Sequence, residues 1–285
     1  MKFKIGKAIL PRTRIPSLPY FDVLTRKLEE GHPQLETAFG RDVHWGYWTE
    51  PSLATGEPAD YARAAVRLTH EICAAAQLAA GQSVLDTGCG FGGTVADINE
   101  RLSPIGLTGL NIDPRQLARA REKVMAQVGN QIAFVEGDAC KLPFPDASFD
   151  RVLAVEAIFH FPDRTRYFQE VSRVLKPGGR LALTDFVPAA WISPSLWLNV
   201  ATSYYGDCDM RCTVGEYRRI AAASGLRPVI ERNITRHTLP TYNFLKALAP
   251  EMGDIGHKAV KETRLLQLMS RLGLLRYMIL AFEKI

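Results

Sequence analysis

The sequence predicts an α/β fold in which a mostly parallel sheet is covered by helices on both faces. The first observation is that the apolar run Val84-Leu85-Asp86 precedes a glycine-rich turn, after which residues 95–102 have helical spacing. The second is that further apolar runs alternate with helical stretches, at residues 106–113, 132–136, 151–157 and 180–187. Because parallel strands need long crossover connections, this alternation favours a parallel sheet.

The glycine turn is the first unit of a nucleotide-binding fold, in which strand, turn and helix follow one another. Gly88, Gly90 and Gly93 satisfy the spacing G-x-G-x-x-G. Glycine suits such a turn because it permits positive φ and lets a ligand approach the backbone without a Cβ in the way. The pattern alone does not name the ligand.

Composition restricts the class of protein. A chain of 285 residues allows one large domain, or one domain with a cap. The net charge of +5 is mildly basic and fits a solvated surface, with an anionic substrate or a membrane surface as the alternative. No long Lys/Arg run is interleaved with aromatics, which disfavours nucleic acid as a partner.

The five cysteines are an odd number without the spacing of a disulfide framework or a zinc site, so we expect no metal and a reducing, cytoplasmic compartment. The basic N-terminus lacks the apolar core of a secretory signal, and no apolar run approaches the length of a transmembrane helix.

The N-terminal part predicts an arm and a cap. Residues 1–19 carry five cations, three prolines and no acid, which indicates a tail or an arm that folds over the site or meets an anionic surface. Residues 20–36 have helical apolar spacing. The aromatic cluster His44–Trp48 must pack, either as satellite core or as a wall of the ligand cavity. An Ala-rich helix follows over 59–79.

Beyond the glycine turn the elements follow in order. Helices are predicted over 115–127, after Pro114, and over 164–175, where Lys176-Pro-Gly-Gly179 is a stop signal. The aromatic residues of 188–212 indicate an insertion; they include Trp191, Trp197, Tyr204 and Tyr205.

The last part predicts a capped helix, two strands and a helical stretch. Thr213 is the expected N-cap of a helix over 213–223. Strands are predicted over 226–235 and 275–284, with helical segments over 242–273.

Polar residues stand where successive predicted strands end, which is where open parallel sheets bind ligands. Asp86 precedes the first glycine, where a carboxylate suits an amine-bearing or cationic ligand better than a pyrophosphate. Asn111 can hydrogen-bond a ribose hydroxyl, and Asp138 can accept from an adenine amine. The set describes a nucleoside with an amino-acid-like tail better than a dinucleotide.

Three motifs carry a resemblance to a known class. They are Val84–Gly93, Gly137–Asp150 and Arg173–Asp185. In these motifs residues 84–187 resemble a class I S-adenosylmethionine-dependent methyltransferase. The resemblance implies a Rossmann-like seven-stranded, mostly parallel sheet with helices on both faces and a helical lid inserted in the C-terminal half. Its implied cofactor-binding residues are Asp86, Gly88, Gly90, Asn111, Gln116, Asp138, Ala139 and Val155.

The finer pattern is similar to a small-molecule group that includes sterol and tocopherol C-methyltransferases, sugar O-methyltransferases and phosphoethanolamine methyltransferases. The residues that carry this likeness include the aromatic cluster His44–Trp48 and the segment Val155–Asp163. Asn111 departs from the pattern, because many members carry an acid there. The ribose contact is then weaker, or shared with Asp113 or Gln116.

The resemblance also implies catalytic residues. His160 is the expected general base for a hydroxyl acceptor, and Glu156 a base or a cation stabiliser in a C-methylating enzyme. Asp185 is expected either to orient His160 or to satisfy loop amides.

The function expected from the whole chain is methylation of a hydroxyl or carbon of a small, largely apolar acceptor, such as an isoprenoid or polyketide. A phosphorylated acceptor becomes plausible if the basic arm covers the site. An NAD-dependent oxidoreductase and an inactive nucleoside-binding module are the alternatives, and a homo-oligomer is left open. The expected division is an arm and helical cap (1–60), a cofactor-binding core (61–187), and lid insertions with the last two strands (188–285).

Overall fold

The structure is a computed structural model that describes residues 18–191, 204–206 and 208–285. Its centre is a seven-stranded sheet with the order β3-β2-β1-β4-β5-β7-β6. The strands are β1 (Ser83–Thr87), β2 (Gly106–Asn111), β3 (Gln131–Glu136), β4 (Phe149–Ala154), β5 (Leu175–Pro188), β6 (Leu226–Asn233) and β7 (Leu275–Lys284).

The sheet is mostly parallel, as predicted. Strands β1 to β5 pair in parallel, and β7 runs antiparallel to both β5 and β6. The crossover helices of the parallel part place helices on both faces. The described α-helices are α1 (Pro19–Glu29), α2 (Pro33–Phe39), α3 (Pro58–Ala76), α4 (Gly93–Arg101), α5 (Pro114–Lys123), α6 (Arg164–Val174), α7 (Val214–Ala223), α8 (Thr235–Leu248) and α9 (Gly256–Arg271).

Two apolar layers hold the helices on the sheet. One layer joins α3, α4, α5, α8 and α9 to one face of the strands. The other joins α6 and α7 to the opposite face. Because strand residues alternate between faces, β5 contributes Phe186 to the first layer and Leu183 and Val187 to the second.

A third apolar cluster builds the cap above the carboxyl ends of the strands. It joins α1 and α2 to α3, to α8 and to the turn Ala249–Ile255. The single helix predicted over 20–36 is wrong, because Gly31 takes a φ of 75° and Pro33 starts a second helix. Pro33 has no backbone N–H to continue α1.

Local signals fix most element ends. Asp113 caps α5 by accepting a hydrogen bond from the Arg115 amide, and Thr213 caps α7 in a reciprocal pair with Glu216. Strand β4 ends at Ala154, earlier than the predicted 157, so that residues 155–157 form the turn that borders the site. Residues 1–17 of the arm predicted over 1–19 lie outside the described residues, as does Trp197.

Candidate active site

The main cavity lies beside the glycine turn between β1 and α4. Gly88 has a φ of 79°, and a Cβ on it would lie 2.4 Å from the Cβ of Ala157. Gly90 has a φ of 54°, which also favours glycine. The turn therefore needs glycine for its backbone and for the close approach of the β4 turn.

The structure brings the predicted cofactor residues together. All eight border this cavity, namely Asp86, Gly88, Gly90, Asn111, Gln116, Asp138, Ala139 and Val155. Glu156 and His160, two of the three predicted catalytic residues, border it as well. These predicted residues therefore border one continuous cavity.

Asn111 is held by its neighbours in the loop after β2. Its Nδ2 donates to Gln116 Oε1 over 2.8 Å, and its Oδ1 accepts from the Asp113 amide over 3.0 Å. Asp113 in turn accepts from Arg115 Nη2 over 2.7 Å. Of the two residues expected to share a ribose contact with Asn111, Asp113 is thus committed to Arg115, while Gln116 is joined to Asn111.

Asp138 also serves its own turn. Its Oδ1 accepts from the Cys140 amide over 2.8 Å, which holds the loop after β3 against the cavity. Ala139, the next residue, is buried in the wall.

A buried charge cluster that the sequence analysis missed adjoins Asp86. Asp42 and His44 border the same cavity, and Asp42 Oδ1 lies 3.4 Å from His44 Nε2. Burial raises the pKa of Asp86 to about 7. Burial lowers the pKa of His44, but the close contact with the Asp42 carboxylate and the charge of Glu156 outweigh this and raise it to about 9. His44 is therefore cationic at neutral pH. In the sequence, the only indication that His44 would carry a charge was the nearby acid Asp42.

A second cavity adjoins the first and is largely apolar. Its walls include Leu24, Phe39, Trp45, Phe159, Phe186, Met210, Leu245, Leu248, Met252 and Leu266. Both cavities are bordered by Tyr20, Val43, Glu156 and His160. The aromatic cluster at 44–48 accordingly has both expected roles: Trp45 is a cavity wall, whereas Trp48 is core and donates to Asp60 Oδ2 over 2.9 Å.

Glu156 is a strained, partly buried residue at the junction of the two cavities. Its φ is 50°, and its amide donates to Thr184 Oγ1 over 2.8 Å. Burial raises its pKa to about 7, although the charge of His44 and a hydrogen bond donated by the Tyr277 hydroxyl act in the opposite direction. His160 follows in a short 3-10 turn, with Nδ1 lying 3.7 Å from Cys208 Sγ.

Asp185 lies elsewhere, and the prediction that it orients His160 is wrong. It is inside β5, and its Oδ2 accepts from the Tyr217 hydroxyl and from Arg164 Nη2, while Oδ1 has no hydrogen-bond partner among the residues that the structure describes. Because side chains alternate along a strand, Thr184 faces Glu156 and Asp185 faces α6 and α7. Burial raises the pKa of Asp185 to about 6, against the effect of Arg164.

The sheet order, the antiparallel last strand and the cavity at the glycine turn define the class I methyltransferase fold. Residues 85–183 match the family described as a methyltransferase domain. Methyltransferase GfsG of Streptomyces halstedii is 32% identical over 83% of this chain and 87% of its own length. The 27-O-demethylrifamycin SV methyltransferase of Amycolatopsis mediterranei is 32% identical over 73% of this chain and 75% of its own. The chain belongs to this methyltransferase family, and it is an S-adenosylmethionine-dependent enzyme with a small-molecule acceptor.

Solved structures agree on the fold. The geranyl diphosphate C-methyltransferase of Streptomyces coelicolor A3(2) has a TM-score of 0.71 at 20% identity and covers 95% of this chain and 100% of its own. The [4+2]-cyclase SpnF has a TM-score of 0.71 at 22% identity and covers 95% and 97%. The family excludes the NAD-dependent oxidoreductase considered as an alternative. Among the described residues, no helix is long and apolar enough to cross a bilayer.

Proposed function

We propose that the enzyme methylates a hydroxyl group on a small, largely apolar acceptor of the polyketide type. One observation carries the proposal. An apolar cavity opens onto the cofactor cavity, and Glu156 and His160 stand where the two meet. A pocket with apolar walls and a few convergent polar groups suits a hydrophobic acceptor with one reacting group.

The residues present fit S-adenosylmethionine. At its glycines, the turn has no Cβ between the backbone and the cofactor cavity. Asp42 and Asp86 border the same cavity and would provide carboxylates for the α-amino group of the cofactor. The Asn111–Gln116 pair would hold the ribose, and Asp138 would hold the adenine amine. When bound, the cofactor supplies a methyl group on a positively charged sulfur.

The protein's own groups then position the acceptor and take its proton. His160 is the proposed base for the hydroxyl, and Glu156, with Tyr277, would stabilise positive charge or take a proton itself. Apolar walls around these groups exclude water and support an in-line approach. Asp185 has no part in this step.

The names of relatives support oxygen as the methylated atom. The relative from Amycolatopsis is named for a rifamycin, and that from Aspergillus sclerotiorum is named an O-methyltransferase. Carbon methylation is the second candidate, because Glu156 places a carboxyl group where positive charge would develop on an acceptor carbon.

The test is turnover with saturating S-adenosylmethionine and a panel of hydroxylated polyketides. We expect His160→Ala to lower kcat by 10²- to 10⁴-fold, the contribution typical of a general base. Met210→Leu, a volume-conserving change in the wall of the same apolar cavity, should keep most of the rate. NMR of the product distinguishes a methoxy from a C-methyl group. An unchanged rate in His160→Ala would exclude His160 as the base.

We further propose a reducing, cytoplasmic location, which the five free cysteines support. We also propose that the chain forms a homo-oligomer, which light scattering of the purified protein would test. Fractionation of the native host checks the location.

A further inference from the structure

Helix α9 has an inner and an outer face with different surroundings. On the inner face Leu266 lines the apolar cavity, together with Met252 from the preceding turn. The outer face of α9 is solvent-exposed and is formed by Lys258, Lys261, Arg264, Leu265, Leu268, Arg271 and the adjoining Leu272. The inner face of α9 therefore forms part of the wall of the proposed acceptor cavity, and its outer face is exposed to solvent.

The outer face mixes apolar and cationic side chains. Its leucines are 45%, 54% and 62% exposed, in chain order, which is unusual for three large apolar residues on one helix. At 3.6 residues per turn the seven residues fall within an arc of about 140°. The leucines and Lys261 occupy its centre, Arg264 and Arg271 one edge, and Lys258 the other.

The positive charge of this face is not neutralised by the surrounding protein. Within the described residues, none of its four cations forms an ion pair. Glu262 is turned away, since its carboxylate accepts from the Tyr204 amide over 3.0 Å. Asp254 is exposed before the helix begins.

The undescribed residues hold too few acids to balance the four cations. Residues 1–17 and 192–203 contain no acid, and Asp207 is the one acid outside the described residues. The basic 1–17 span would be repelled by a cationic face. Something anionic from outside the chain is therefore the complementary partner.

We propose that the outer face of α9 docks on the surface of an anionic phospholipid bilayer. A helix that interleaves leucines with cations lies in the interface, with the leucines among the acyl chains and the cations at the phosphates. The face is a single convex helix, which suits a deformable lipid surface. Vesicle binding is measured without methyl transfer. The test of this proposal therefore does not depend on which acceptor the enzyme methylates.

The test is cosedimentation of the full chain with vesicles. We expect binding to phosphatidylcholine containing about 30% phosphatidylglycerol, and little to phosphatidylcholine alone. Lys261→Glu with Arg264→Glu should lower the partition coefficient by at least about 25-fold, since each lost cation contributes about fivefold and each new carboxylate is repelled by the surface. Leu265→Ser with Leu268→Ser should also weaken binding.

Matched controls separate this face from general charge and hydrophobicity. Lys123→Glu with Arg219→Glu makes the same charge change on α5 and α7, and Met125→Ser with Val128→Ser removes exposed apolar side chains elsewhere. Both controls should bind as the unaltered chain does. Failure of the unaltered chain to bind, equal losses in the controls, or binding of an acidic protein in place of the vesicles would overturn the proposal.

Discussion

At the scale of single residues, the site depends on carboxyl groups whose pKa values are raised to near neutral pH. Glu156 is partly buried, and a carboxylate there is disfavoured by desolvation and favoured by a neighbouring cation and a hydroxyl donor. With a pKa raised to about 7, Glu156 exchanges protons near neutral pH. A group with such a pKa is suited to proton transfer at that pH.

Replacing Tyr277 with Phe should move the pH dependence of turnover. If Glu156 acts as its carboxylate, kcat rises as the pH rises through about 7. The Tyr277 hydroxyl stabilises that carboxylate, so Tyr277→Phe should shift the midpoint upward by about one pH unit. Tyr242→Phe, which removes a buried hydroxyl bonded to Ser270, is the control. The same midpoint in all three proteins would show that Glu156 does not set the profile.

Replacing Asp42 with Asn should deprotonate His44. Without the Asp42 charge, burial dominates, and the His44 pKa should fall from about 9 to below its ordinary value. NMR titration of the imidazole measures this, and Asp97→Asn, which removes the partner of His70, should leave it unchanged.

The same change has a consequence for stability. The pKa of His44 is higher in the folded chain than in the unfolded chain. Protonated His44 therefore stabilises the fold fully below pH about 6.5, and this stabilisation is lost as the pH rises through about 9. Urea unfolding should show this decline between these pH values in the unaltered chain but not in Asp42→Asn. An equal decline in both proteins would rule out the pair as its source.

At the scale of elements, what the sequence predicted was local. Alternating apolar runs, the glycine turn and the Thr213 cap each lie within a few consecutive residues, and each predicted its element. The pairing of Asp42 and His44 with Asp86 was not predictable, because it depends on the folded contact between the cap and β1. The break between α1 and α2 carried a signal, Gly31 before Pro33, which the apolar spacing of 20–36 outweighed.

The face of a strand was predictable only in part. Strand β5 is buried on both sides, so its sequence lacks the alternation of apolar and polar residues that would identify each face. Asp185 was therefore placed near His160 by its position in a motif, whereas its side chain points to the opposite layer.

The glycine turn allows a comparison of two kinds of glycine. Gly88→Ala adds a Cβ that meets Ala157 at 2.4 Å, and Gly178→Ala adds one that meets nothing within 4 Å, although both residues have positive φ. Gly178→Ala should cost about 1–2 kcal/mol of stability and leave cofactor binding unchanged. Gly88→Ala should cost more and weaken S-adenosylhomocysteine binding, measured by calorimetry. Equal affinities in both variants would contradict this account of the turn.

The buried group around Asp185 should contribute to stability and not to catalysis. Tyr217→Phe removes a hydroxyl that donates to Asp185 and leaves Arg164 as the remaining partner. We expect a loss of about 1–3 kcal/mol in the free energy of unfolding, with kcat unchanged for the folded enzyme. Phe168→Leu, in the same layer, is the control for packing alone. A fall in kcat without a fall in stability would restore a catalytic role for Asp185.

At the scale of the whole molecule, both cavities are closed by segments far apart in the chain. Tyr20 from α1 lines both, and Leu248 and Met252 from the C-terminal part line the apolar one. These residues belong to or adjoin one apolar cluster that joins the first and last parts of the chain. The division into 1–60, 61–187 and 188–285 stays a prediction, and ligand binding should stabilise the closed arrangement as a whole.

Thermal unfolding with S-adenosylhomocysteine tests this arrangement. A ligand that binds only the folded chain stabilises it by about 2.7 kcal/mol at a hundred times its Kd. For a chain of this size each kcal/mol raises Tm by about 2–4 °C, so the expected rise is about 5–10 °C. NAD at the same concentration should leave Tm unchanged, because Asp86 lies where a pyrophosphate would need to approach. A rise with NAD equal to that with S-adenosylhomocysteine would mean that the carboxylate does not select between them.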